Sequence, residues 1–349
     1  MRPSRTRSSA PPSRRQFLAS SLGTAAALAA GGPLAKALAW QRPRTVVPAD
    51  RPLRLAFAGM GNRGLEMIKT FATTGLTTVT ALCDVDLDSR LTQEARDPYP
   101  SAPRFRDARR MIDEAGSTFD AIVIATPDHS HFPLTVHAMA AGKHVYLEKP
   151  MARTFREAEL LMALAERTAV VTQMGNQGHS GNNYFQFKAW AEAGIIADVT
   201  RIVAFMNDTR QWHGWRVDGY PEGEPLPPGL DWDLWHASRP PRPYSPMYHP
   251  KKWRGWFAYG TGALGDWGAH IIDTAHRFLA LGLPTAIEAV KLDQPSPVVY
   301  PQATTLRFEF PARGSMPPVE LWWYDGQANR PPLPSELGPG AVLSELGGK

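Results

Sequence analysis

Three glycines in Gly59-Met60-Gly61-Asn62-Arg63-Gly64 follow a short apolar run, Leu53–Ala58, and lead into a helical pattern of Leu65, Ile68, Phe71 and Ala72. This is the arrangement a dinucleotide site needs. Gly59 permits the tight turn, Gly61 lets the backbone approach a pyrophosphate, and Gly64 lets helix pack close on strand. The helix N-terminus then offers N–H groups and a positive dipole end to the phosphates. Alone, such glycine turns also occur where nothing binds. A second apolar run, Val79–Cys83, ends in Asp84, about 20 residues on, where a carboxylate can accept from a ribose 2′-hydroxyl. That spacing favours NAD, while the nearby Arg90 leaves NADP open.

Two other places concentrate polar groups. One is a pair of strand ends, Thr126-Pro127-Asp128-His129-Ser130-His131 and Glu148-Lys149-Pro150. Pro150 biases Lys149 out of helical geometry, so the strand stops there and the lysine stands at its rim. The other is Asp266 and His270, four apart and therefore on one helical face. Read alone, these residues serve equally as surface lysine, helix cap and packed histidine. No metal is expected.

The elements that would position these groups alternate. Strands are predicted at Leu53–Ala58, Thr77–Cys83, Ala121–Thr126, His144–Glu148 and Val170–Met174, with helices at Arg63–Ala72, Asp107–Glu114, Ser130–Ala141 and Phe155–Arg167. Near-continuous apolar strands suit a parallel sheet covered on both faces. The pattern predicts a doubly wound α/β domain over 53–175, preceded by an extended arm over 40–52. Ligands in such a sheet sit outside the carboxyl ends of the strands, where Lys149 and the 126–131 loop fall. Beyond Gly175 come a polar loop, a helix ending at Gly194, a strand over Val199–Met206, a helix from Gly262 through Leu281, and strands over Ala286–Leu292, Thr304–Phe310 and Val319–Tyr324. This second unit, 176–325, is expected to be α+β. Six of the eleven tryptophans lie in 207–262. Residues 326–349, with four prolines and five glycines, read as a poorly ordered tail.

The net charge of +5 comes from the first 39 residues, which hold six basic side chains and no acids; the remainder has 32 basic against 33 acidic residues. No nucleic-acid footprint is left. Ser13-Arg14-Arg15-Gln16-Phe17-Leu18, the apolar run Leu18–Ala30 and Ala37-Leu38-Ala39 form a twin-arginine export signal with a cleavage site, implying a periplasmic or extracellular protein that meets the export machinery already folded. The single cysteine, Cys83, agrees, since no disulfide framework awaits an oxidising compartment.

Taken together and in this order, Gly59–Gly64, Asp84, Thr126-Pro127-Asp128-His129, Glu148-Lys149-Pro150 and Asp266-x-x-x-His270 resemble the Gfo/Idh/MocA family of glucose–fructose oxidoreductase and inositol dehydrogenase. The resemblance covers roughly 53–325 and implies a Rossmann domain followed by a domain with a large, mostly antiparallel open sheet that often builds oligomers. It implies catalytic roles for Lys149, Asp266 and His270. It also implies a cofactor site of Gly59, Gly61, Asn62, Arg63, Gly64, Asp84, Thr126, Pro127, His129 and Glu148 around NAD or NADP. Family members generally run past the strand matching Val319–Tyr324, so the sequence suggests a fragment or a shortened second domain with an exposed sheet edge.

On that resemblance, His270 is the base for oxidising a secondary alcohol, with an unperturbed pKa near 6.5 close to working pH. Asp266 orients the imidazole or bonds the substrate, and Lys149 steadies negative charge on the substrate oxygen. The indole-rich segment suits the C–H faces of a sugar or polyol, or else packs a loop-rich subdomain. His179, Tyr184, Trp253 and Arg254 are the expected substrate contacts. Export away from the nicotinamide pool suggests a tightly held cofactor, which sugar oxidoreduction, epimerisation and glycoside hydrolysis through transient oxidation all satisfy. The remaining alternative is a non-catalytic nucleotide-binding protein.

Overall fold

The computed structural model describes residues 43–208, 217–338, 340–343 and 347–348. The expected export signal and Trp212 and Trp215 lie outside the described residues. The first sheet contains β1 (Leu53–Ala58), β2 (Thr77–Cys83), β3 (Arg104–Phe105), β4 (Ala121–Ile124), β5 (His144–Glu148) and β6 (Thr172–Gly175), in the order β3-β2-β1-β4-β5-β6 and parallel throughout. Its helices are α1 (Asn62–Thr73), α2 (Arg90–Arg96), α3 (Ala108–Ala115), α4 (Asp128–Ala140) and α5 (Phe155–Thr168). Side chains alternate between the faces of a strand, and β1 shows the result. Leu55 and Phe57 pack with Met67 and Ile68 of α1, whereas Ala56 and Ala58 pack with Met111 and Ile112 of α3 and Val136 of α4. Both faces are therefore covered, which is why the strands read as unbroken apolar runs. β6 starts two residues later than predicted, because Ala169 takes a left-handed conformation (φ 51°) that ends α5.

The second domain carries α6 (Asn182–Glu192), β7 (Arg201–Met206), α7 (Trp232–His236), α8 (Gly262–Ile271), α9 (Asp273–Phe278), β8 (Ala286–Asp293), β9 (Ala303–Phe310), β10 (Val319–Asp325) and β11 (Gly347–Gly348). The predicted single helix from Gly262 is two, separated at Ile272. The second sheet runs β11-β7-β10-β9-β8, antiparallel except for the β10–β7 pair. The inner residues Leu321 and Trp323 of β10 pack on Ala275 and Leu279.

The start of the tail, around Asn329, departs from the expectation of poor order. Asn329 is buried; its Nδ2 donates to Thr304 O (2.8 Å), Thr305 Oγ1 (3.0 Å) and Asp325 O (3.1 Å), while Asn207 Nδ2 donates to Gly326 O and Asn329 O. Side-chain amides here replace a regular ladder in satisfying the backbone, which no periodicity announces. β11 then pairs with Phe205 and Met206 at the end of β7.

The arm over 43–52 docks on the first domain. Thr45 N donates to Gly142 O, Lys143 Nζ donates to Gly116 O and Thr45 Oγ1, and Arg51 and Arg54 both grip Asp120. Asp120 is fully buried; burial pushes its carboxyl up, but the two guanidinium bonds and the Arg54 N–H more than offset this and hold it far below the usual range. Asp120→Ala strips the partner from two arginines that keep about a third of their exposure, so the loss should sit near the low end for a buried ion pair, about 3 kcal/mol. Urea unfolding above pH 5 reads this. Because the folded pKa is depressed, the contribution is present above the unfolded carboxyl pKa and is lost as pH falls below it.

Candidate active site

A cavity of about 470 Å³ opens across the carboxyl ends of the parallel strands, between the two domains. One wall is the glycine loop, the ends of β2, β4 and β5, and the start of α4. The other is α7, the 249–254 stretch and α8. Both domains contribute to the site, so it requires both to fold together.

The glycine loop fits a dinucleotide. Gly59 has φ 88°, and a Cβ there would lie 2.7 Å from the Ala125 carbonyl; at Gly64 it would lie 1.9 Å from Gly59 O. Those two glycines bring α1 hard against the loop. A Cβ at Gly61 meets nothing within 4 Å, so the backbone there faces open cavity. No side chain caps α1, whose N-cap is Gly61, so the helix end points at the same space. Asp84 accepts from Met60 N (2.7 Å) and Asp86 N (2.9 Å), fixing the loop, and each oxygen retains a lone pair for a hydroxyl. Burial raises the Asp84 carboxyl above its usual range.

Arg63 is the strut between the loop and β5. Its Nε donates to Glu148 Oε1 (2.7 Å), and its other nitrogens reach Glu66 and Gln177. Glu148 is buried against Gly175, where a Cβ would lie 2.6 Å from its Oε1. Lys149 follows directly, on a cis bond to Pro150, and its ammonium donates to Asp266 O (2.6 Å) and to Asp266 Oδ1. The end of β5 and α8 are thus joined by one lysine. Arg153 adds a second tie, donating to the carbonyls of Phe257, Ala258 and Gly260 just ahead of α8.

His270 lies one turn beyond Asp266 and lines the cavity with it. Asp266 corrects half of the expectation, since its carboxylate engages Lys149 instead of steering the imidazole. Its Oδ2 is buried with no hydrogen-bond partner, 3.6 Å from Arg254 Nε. The imidazole pKa also differs from the free value. Burial first, then the Lys149 charge, lowers His270 from 6.5 to about 4, so the ring is neutral across working pH.

Gly59, Gly61, Asn62, Arg63, Asp84, Thr126, Pro127, Glu148, Lys149, Trp253, Arg254, Asp266 and His270 all line the cavity. Gly64 lies behind the wall and acts through packing. His129 is not on the wall: its Nε2 meets Trp235 O at 2.7 Å, its ring packs on Trp235 and Tyr259, and burial lowers its pKa to about 3. It pins the aromatic segment to the first domain. His179 and Tyr184 also stand off the wall, His179 on Asp273 (2.5 Å) and Tyr184 stacked on His179 and tilted against Phe278. The tryptophans divide. Trp256 and Trp235 build an apolar cluster with Tyr248 and Tyr259, and Trp253 and Trp235 also face the cavity; Arg254 lies over the Trp253 ring at 4.3 Å. Asp86 and His249 line the cavity and were not foreseen. Asp86 lay two residues from a known candidate, but nothing in the sequence brings His249 to it.

Residues 53–176 match the model of an oxidoreductase family with an NAD-binding Rossmann fold, and residues 188–300 match the same family's C-terminal alpha/beta domain. A glycosyl hydrolase family 109 protein of Shewanella sp. (strain ANA-3) is 33% identical over 170 residues, 44% of this chain and 37% of that protein. The scyllo-inositol 2-dehydrogenase (NADP+) of Bacillus subtilis is 25% identical over 199 residues, 57% of this chain and 44% of that protein. The match thus spans less than half the length of these relatives. Among solved structures, the WlbA dehydrogenase of Chromobacterium violaceum, in complex with NADH and UDP-GlcNAcA, superposes with a TM-score of 0.58 at 16% identity, over 81% of this chain and 70% of that one, a likeness of fold. With both family models matched in order, over the two domains that frame the cavity, this chain belongs to the Gfo/Idh/MocA oxidoreductase family.

Proposed function

We propose that this protein is an NAD-dependent oxidoreductase that acts on a secondary alcohol of a sugar or polyol. The observation that carries the reading is the meeting of Lys149, Asp266 and His270 in one cavity with a glycine loop shaped for a pyrophosphate. When bound, the nicotinamide supplies the hydride acceptor. An imidazole nitrogen of the neutral His270 takes the hydroxyl proton. The Lys149 ammonium, held by Asp266, stabilises charge building on the same oxygen. Asp266 Oδ2, which accepts no hydrogen bond and has Arg254 3.6 Å away, is ready to accept from a neighbouring hydroxyl, which polyhydric substrates supply. Trp253 gives an apolar face for the C–H side of a ring.

The second reading, glycoside hydrolysis through transient oxidation with no net redox product, needs the same groups, and the similarity to family 109 glycosyl hydrolases favours testing it. The twin-arginine signal supports export, and with it a cofactor held through the cycle. The exposed β8 strand, with Ile287, Val290 and Leu292 open, supports self-association through the second sheet.

Protein folded in the cytoplasm and purified, then denatured for mass analysis, should release stoichiometric NAD. Incubation with a panel of free sugars, polyols and aryl glycosides then separates the readings. Reduced cofactor or an oxidised sugar supports the oxidoreductase, and free aglycone with no redox product supports the hydrolase. Protein that carries no nucleotide and binds none when it is added overturns both.

A further inference from the structure

Asp86 and His249 stand in the cavity without a part in the chemistry above. Asp84, the expected ribose acceptor, already takes one backbone N–H on each oxygen, and Asp86 follows it on the same loop, its Oδ2 3.1 Å from His249 Nε2. His249 arrives from the second domain, yet both side chains are largely buried, 14% and 13% exposed. Burial works against the Asp86 charge, but the His249 bond and the His249 and Arg106 charges outweigh it and keep the carboxyl below its usual range.

The surroundings are built to hold this pair. Tyr248, the preceding residue, is fully buried in the aromatic cluster, and Trp256 Nε1 donates to Met247 O (2.8 Å). On the facing side, Asp231 N donates to Val85 O (2.9 Å), and Arg106 bridges Val85 O, Gly229 O and Asp88. Val85, between the two aspartates, packs against the aromatic cluster. The segment from Gly229 to Tyr259 is therefore a roof fastened over the end of β2, which in this fold is the adenosine-ribose end of the dinucleotide site.

We propose that His249 and Asp86 form the wall of the adenosine-ribose subsite, a part of the cofactor site supplied across the domain junction, and that this roof retains NAD between turnovers. The proposal rests on the nucleotide-binding reading above. Asp84 and Asp86 at one wall also disfavour a 2′-phosphate, while Arg106, a cation on the same wall, is engaged by Asp88, so NAD is the form retained.

The test is nucleotide binding and release, followed by fluorescence on the whole protein and independent of any substrate. Wild type should bind NADH about 100-fold more tightly than NADPH, as like charges in a closed site require. His249→Ala should speed NADH dissociation about tenfold, the equivalent of one lost hydrogen bond, with the apo melting temperature as the folding control. Asp86→Ser, which keeps a short polar side chain, should narrow the NADH/NADPH ratio and stands in if His249→Ala fails to fold. Wild type that binds NADH while both variants keep its release rate and selectivity overturns this inference alone. Wild type that binds neither nucleotide overturns the oxidoreductase reading with it.

Discussion

Replacing His270 with alanine is expected to lower kcat by about 10²–10⁴-fold, the range for loss of a positioned general base, while NADH still binds. The imidazole acts only when neutral. With its pKa held at about 4 by burial and by Lys149, the acid limb of the kcat/KM profile for alcohol oxidation should lie near that value, leaving a plateau through neutrality. The same displacement gives a second readout. Lys149→Met removes a charge that holds the ring neutral, so the residual activity should show its acid limb moved up from about 4 towards 6.5. The variant also leaves Asp266 without its main cation, so a lower melting temperature should accompany the shift. An acid limb that stays in place after loss of Lys149 would mean that the Lys149 charge does not set the pKa of the titrating base. The stability sign agrees: a histidine whose folded pKa is depressed stabilises the fold above its unfolded pKa and loses that contribution as pH falls towards 4.

The second large effect separates two glycines three residues apart. Gly64→Ala places a methyl 1.9 Å from Gly59 O, a backbone atom that cannot yield without moving α1 off the loop. The apo protein should unfold several degrees lower, in line with a loss of about 1–3 kcal/mol for overpacking, and NADH binding should fall with it. Gly61→Ala is the contrast. Gly61 has an ordinary φ of −64° and open space around it, so the apo protein should melt unchanged. Its methyl stands in the space a pyrophosphate needs, so NADH affinity alone should drop, by roughly tenfold or more. Equal melting points with equal affinities across the two variants would refute the assignment of the loop.

The comparison of those glycines shows what a sequence can reveal. Gly59–Gly64 and Asp84 are legible because the turn, helix end and carboxylate are joined by short chain segments with fixed geometry. Lys149 is legible because Pro150 ends its strand, and Asp266 with His270 because helical spacing puts them on one face. All three required the family pattern before a chemical role stood out. What the sequence hid is long-range. His129 resembles a cofactor contact from its place in Thr126-Pro127-Asp128-His129, yet it is spent on Trp235, more than a hundred residues away. The pairing of Lys149 with Asp266, and of Asp86 with His249, exists only once the two domains close. The depressed pKa of His270 is likewise a property of burial and of a neighbour from another domain. Tail residues such as Asn329 escaped notice because side-chain amides, not periodicity, fix them.

The docked arm has a consequence for how this protein can be handled. Gly142, Asp120 and Ala169, its partners, all precede strands of the parallel sheet, whereas Lys149 and the glycine loop follow strand ends. A five-residue strand such as β5 separates these poles by about 15 Å. The arm therefore begins, at residue 43, at the foot of the domain, on the side away from the cavity mouth. An affinity tag, a surface tether or a fused partner joined directly ahead of residue 43 would start from that pole, so immobilisation at that point is the orientation that keeps the mouth open to substrate.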